Sequence, residues 1–157
     1  MTTAHPPPPP HTDICTQLPE VQVLEYPSGA AHVQEARHAT VAMITGSPSV
    51  PDEIADTAAL VVSELATNAV QHGSGALRVH LIIDPGSHNR AATLRIEVPD
   101  ENAAPPVLQR TTSTTDPDEL LESGRGWGLV LAMADCCGVE PRARGGKIVW
   151  AQWQWAA

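Results

Sequence analysis

Residues 52–73, DEIADTAALVVSELATNAVQHG, carry acids in a first turn, then Ile54, Ala58, Val61, Val62, Leu65 and Ala69 near one helical face, with Gly73 just past the end. A helix with such a stripe has to lay it on a second layer. The layer follows directly in the chain. The runs ALRVHLIID (76–84) and ATLRIEVPD (92–100) alternate apolar and polar residues around a turn rich in Pro, Gly and Ser, which predicts a β-hairpin. A long helix feeding a hairpin restricts the chain to helices stacked on a sheet.

The flanking segments extend both layers. EVQVLEYP (20–27) alternates and stops at Pro27, the pattern of an edge strand. The stretch from Ser28 to Gly46 predicts a first helix, with Ser28 as cap, Val33, Ala36, Val41 and Ile44 as its apolar positions and Gly46 as its end. GRGWGLVLAMADCCG opens on alternating glycines and predicts a third helix reaching Gly138, and VEPRARGGKIVWAQWQW predicts two strands around a Gly-Gly turn. The order β, α, α, β, β, loop, α, β, β predicts an α+β fold: a two-layer sandwich with a mixed, mainly antiparallel sheet and three helices on one face. Residues 1–19, with HPPPPPH, predict a disordered or extended tail ahead of one domain at 20–157; docking of that run in an SH3-like groove is the alternative. Residues 101–123, rich in Pro, Thr and Asp, are long for a loop in so compact a domain, and such loops tend to carry function.

Composition narrows the partners. A chain of 157 residues suffices for one packed domain, and with 42% apolar residues but no Phe its core has to be built from Ala, Val, Leu and Ile, with four Trp late in the sequence. A net charge of −9, with nine Lys and Arg in all, opposes binding to a nucleic-acid backbone. No apolar run is long enough for a membrane span and no signal peptide is evident, so a soluble cytoplasmic protein is expected. Cys15, Cys136 and Cys137 fit neither a disulfide framework nor a zinc spacing; the adjacent pair reads as buried small residues at a helix end, or as a redox pair. The seven histidines are scattered, and no histidine metal site is expected.

Within helix two, Glu64, Asn68 and His72 recur every four positions and so form a polar stripe beside the apolar face. Taken alone, the stripe reads as a solvated face with a C-terminal histidine favoured by the helix dipole, and the wall of a site is the alternative. Asp100, at the end of a strand, is either a turn residue or a carboxylate placed to accept a hydrogen bond from an exocyclic amine. Gly124, Gly126 and Gly128 either form a flexible link or let backbone N–H groups at a helix mouth approach phosphate oxygens. Their spacing matches neither a Walker A loop nor a dinucleotide fingerprint. Arg125, between those glycines, would touch phosphate or remain solvated.

In that order the motifs resemble the GHKL, or Bergerat-fold, ATPases, and within them the bacterial serine-kinase anti-sigma factors. SELATNAVQHG is similar to the N box, VPDENAAPP to the first glycine box, GRGWGLVLAMAD to the second, and GGKIVWAQW to the closing hairpin. The resemblance spans about residues 20–155 and implies a Bergerat fold that binds ATP and Mg²⁺. It implies that Asn68 holds Mg²⁺ through its side-chain oxygen, that Glu64 acts as general base, that Asp100 reads the adenine amine, and that Gly124, Arg125, Gly126 and Gly128 cradle phosphate under a lid near 101–123. Elementary chemistry is compatible with these roles. Mg²⁺ accepts few protein ligands when triphosphate and water supply the rest, and a base one helical turn from that ligand lies only about 6 Å away. The implied activity is a serine/threonine protein kinase that phosphorylates a STAS anti-anti-sigma partner and sequesters a sigma factor, with a homodimer expected by analogy. No phosphoacceptor-histidine helices are evident, so the acceptor is expected on another protein. Two departures favour an alternative, a nucleotide-binding regulatory module with weak or no kinase activity; a slow ATPase, which needs only Glu64 and a water, is a third reading. Asn102 stands where the first glycine box has a glycine, although Asn tolerates positive φ. Ile148 stands where relatives carry a threonine that supports the aspartate.

Overall fold

The structure, a computed structural model, describes residues 18–104 and 125–157. The expected tail at 1–19 therefore lies almost wholly outside the described residues, as do Cys15 and most of the expected lid. Eight elements follow in order: β1 (Glu20–Tyr26), α1 (Ala30–Thr45), α2 (Asp52–His72), β2 (Leu77–Asp84), β3 (Ala92–Asp100), α3 (Arg125–Met133), β4 (Cys136–Pro141) and β5 (Lys147–Trp155). The strands form one sheet in the order β1-β2-β3-β5-β4. Every pairing is antiparallel, so the parallel pair that a mixed sheet requires is absent among the described strands, while the two-layer α+β architecture stands.

The core is asymmetric in residue size. The helices turn Ala36, Ala55, Ala58 and Ala66 toward it, along with Ile44, Val61, Val62 and Leu65, whereas the sheet contributes Leu77, Val79, Leu81, Leu94, Ile96, Val98 and Trp153. Small side chains on the helices bring their backbones close to the sheet, which is how a chain without Phe reaches interior packing density. α2 is the central helix, packed against α1, α3 and the strands β2, β3 and β5. Removing a large side chain from that contact, as in Leu65→Ala, would cost about 2–5 kcal/mol.

Three local expectations are corrected. Ser28 does not cap α1: Gly29 stands at the N-cap, no side chain caps the helix, and Tyr26 stacked on His32 at 5.8 Å guides the chain in. On α1 the core-facing positions are Ala36, Thr40 and Ile44, with Val41 only half-buried. The third helix ends at Met133, well before Gly138. There β5 captures the chain: the Asp135 N–H donates to the Gln152 carbonyl at 3.0 Å, and the Asp135 carboxylate accepts the Gln154 N–H at 2.7 Å. Cys136 and Cys137 thus lie in an edge strand, the first exposed and the second half-buried. Gly138 is a mid-strand glycine opposite Trp150, whose indole covers the place a Cβ would take, at 2.9 Å.

The β4–β5 turn is the Gly-Gly turn expected, with Gly145 at φ 91° and Gly146 at φ 82°. Both lie in the left-handed region open to glycine. The turn sets the register that places Lys147 directly opposite Asp100 and Ile148 opposite Pro99.

Candidate functional site

Asp100 ends β3 with its side chain on the buried face, 4% exposed, beside the C-terminus of α2. Its carboxylate is held from several directions. Oδ1 accepts the backbone N–H of Ser74 at 3.0 Å and that of Asn102 at 2.8 Å. Oδ2 accepts the Lys147 ammonium at 2.6 Å. The close approach depends on Gly73, since a Cβ there would lie 2.6 Å from Oδ2 and overlap the Ala69 carbonyl. Burial pushes the Asp100 carboxyl up, but the Lys147 hydrogen bond, the Asn102 and Ser74 N–H groups and the Lys147 charge together hold it below the usual carboxylate range.

Asn102 takes the place of the family glycine by hydrogen bonding, not by a left-handed backbone. Among the described residues no non-glycine residue has positive φ. Its side-chain Nδ2 donates to the His72 carbonyl at 3.0 Å, its Oδ1 accepts the Ala104 N–H at 3.0 Å, and its own carbonyl accepts Lys147 at 2.8 Å. The turn after Asp100 is thereby tied to the end of α2.

Lys147 is the functional candidate that reading the sequence missed. The residue supporting Asp100 is this lysine, 6% exposed, and not Ile148, because successive strand side chains alternate faces and Ile148 points away. The signal was present in the phase of β5: Lys147, Val149, Ala151 and Trp153 share one face, and a lysine in phase with three core residues has to be paired.

Two turns back from the end of α2 lies Glu64 and one turn back Asn68, both half-buried. No hydrogen bond joins either side chain to another described residue. Glu64 abuts the first turn of α3, where Gly126 has no Cβ to overlap its Oε2. Gly128 is exposed, with no described atom within 4 Å of its Cβ position, so no described neighbour requires a glycine there. Gly124 lies outside the described residues, and so does the expected contact of Arg125 with phosphate.

From Glu64 to Gly73 is about 14 Å along α2 at 1.5 Å per residue. A buried carboxylate stands at one end, an amide between, and a second carboxylate facing the N-terminal turn of a helix at the other. That sequence of groups fits a nucleotide laid along the helix: an acceptor for a base amine, an oxygen for a hard cation, and backbone N–H groups of a helix start for an anion. Among the described residues no three His, Cys, Asp or Glu side chains gather, so a cation beside Asn68 would draw most of its ligands from phosphate and water.

A helix-on-sheet sandwich with a Glu/Asn helix beside a strand-end aspartate is the architecture of a Bergerat-type ATPase domain. The chain belongs to the histidine kinase-like ATPase domain family, whose sequence profile matches residues 26–153. No curated protein matches it. The GHKL resemblance is thus shown at the level of the superfamily, and with it a domain built for ATP. No helix among the described residues is long and apolar enough to cross a membrane.

Proposed function

We propose that the chain is an ATP-binding serine/threonine protein kinase of the anti-sigma type, which phosphorylates a serine on a STAS anti-anti-sigma partner and sequesters a sigma factor. The observation that supports this most is the order of groups along one helix, with the Asp100 cradle at the end of α2 and Glu64 facing α3 nearer its middle. Bound Mg-ATP would supply the activated phosphoryl group. Asp100 would accept the base amine, Asn68 would lend its carbonyl oxygen to the cation, and the first turn of α3 would face the phosphates. Glu64 would take the proton of the attacking serine hydroxyl.

A regulatory module that controls its partner by surface competition is the second reading. It is favoured by the ion pair with Lys147, which already engages Asp100. A slow ATPase needs only Glu64 and water. Phosphotransfer to purified STAS proteins separates the first reading from both others. In that assay Glu64→Ala is expected to keep ATP binding and lose most transfer, whereas Asn68→Ala is expected to lose Mg-dependent binding. Unchanged transfer by the Glu64 variant would remove the base assignment.

A further inference from the structure

The ion pair beside the C-terminus of α2 leaves one N–H and one lone pair, on adjacent atoms, without a described partner. An ammonium has three N–H donors, and Lys147 uses one on Asp100 Oδ2 at 2.6 Å and one on the Asn102 carbonyl at 2.8 Å. A carboxylate oxygen accepts twice, and Oδ1 is filled by Ser74 and Asn102, whereas Oδ2 has one bond, to Lys147. Among the described residues nothing takes the third N–H or the second lone pair of Oδ2. Lys147 and Asp100 are both almost fully buried, where an unused polar valence is costly. One donor therefore sits beside one acceptor.

Adenine carries the complement of that pair on one edge, an exocyclic amine that donates next to a ring nitrogen that accepts. We propose that Lys147 is a second base-reading residue, donating to the adenine ring nitrogen N1 while Asp100 accepts from the neighbouring amine. The inference rests on the ATP-binding reading above and adds a residue to it. It also gives the ion pair a reason to exist. A buried Lys–Asp pair contributes little net stability compared with apolar side chains of similar size. Here the ammonium offsets the charge of the buried carboxylate and is fixed by Asn102, whose turn is tied in turn to the His72 carbonyl. Guanine offers a carbonyl and a ring N–H in the opposite order, so in this register both bonds would be lost.

The test is calorimetric titration of the full chain with Mg-ATP and with Mg-1-deaza-ATP, in which a C–H replaces N1 and the amine is kept. The wild-type chain is expected to bind the deaza analogue about 10- to 100-fold more weakly, the worth of a hydrogen bond to a charged group. In Lys147→Met, ATP is expected to weaken by a similar factor and the preference over the analogue to vanish. The wild-type comparison needs no substitution, so it can overturn the proposal even if the variant fails to fold. Equal affinity of the wild-type chain for both nucleotides overturns the role of Lys147 while ATP binding stands. Tighter ATP binding by Lys147→Met also overturns it, since the lysine would then be competing with the base for Asp100. Absence of binding by either nucleotide overturns the ATP reading itself.

Discussion

The stretch of α2 from Glu64 to its last residue is built differently at its two ends. At its C-terminus Asp100, Asn102, Ser74, His72 and Lys147 form a closed hydrogen-bond network around a buried carboxylate, with Gly73 cleared for close approach. At its start, Glu64 and, one turn on, Asn68 are half-buried, and no hydrogen bond ties either side chain to a described residue. The first end is held rigid by bonds the fold has already made. The second presents polar groups whose partners are not among the described residues. Groups that recognise a shape benefit from being fixed beforehand, because less ordering remains to be done on binding. Groups that serve reacting atoms and a cation have to remain available to them.

Substitution should expose that contrast as a difference in what is lost. Asp100→Ala leaves the Lys147 ammonium buried without its carboxylate and strips the partner from two backbone N–H groups, so it should lower stability by about 3–5 kcal/mol and abolish nucleotide binding. Urea unfolding followed by circular dichroism reads the first effect, and calorimetry the second. A stability loss below about 1 kcal/mol would mean that the network is decoration. The same glycine-to-alanine change at the two ends sharpens the point. In Gly73→Ala the new methyl meets a backbone carbonyl as well as Asp100, and overpacking of that kind should cost about 1–3 kcal/mol. In Gly126→Ala it meets, among the described residues, the flexible Glu64 side chain, with Oε2 nearest, so stability should stay within about 0.5 kcal/mol while re-aiming of Glu64 slows the phosphotransfer proposed above. Equal destabilisation by the two would erase the distinction between the ends.

The layers were legible in the sequence because they depend on periodicity. The hairpin strands, the long helix and the Gly-Gly turn stand where alternation, helical spacing and turn chemistry put them. The end of α3 was not legible, because ADCCG carries no stop signal before Gly138 and only pairing with the distant β5 draws Cys136 into a strand. The members of the polar stripe were likewise visible as a spacing of four, and Asp100 as a strand end. What the sequence concealed was the support: Lys147 lies 47 residues beyond Asp100 in the chain, and only the register of β3 against β5 brings them face to face. The family's threonine position falls on Ile148, one residue out of phase with Lys147, and a shift of one along a strand is a change of face. Asn102 shows the same limit, since its tolerance of positive φ was beside the point and its four hydrogen-bonding groups were what closed the turn.

The smallest expected effect appears only in acid. With its folded-state pKa lowered, Asp100 binds a proton less readily in the native chain than in the unfolded one. As the pH falls through the carboxylate range, the unfolded state therefore takes up the proton first, and stability declines with falling pH. At neutral pH the carboxylate is ionised in both states, so its full contribution is present there and its loss begins only below the ordinary carboxylate pKa. Asp100→Asn removes the titration while keeping the shape, so its thermal midpoint should fall less between pH 7 and pH 3 than that of the wild-type chain, whatever the two values at pH 7. The other carboxylates titrate in both proteins and cancel in the difference. Parallel curves would mean that Ser74, Asn102 and Lys147 do not favour the charged form of Asp100, and the network around Asp100 would then be no more preorganised than the stretch that holds Glu64.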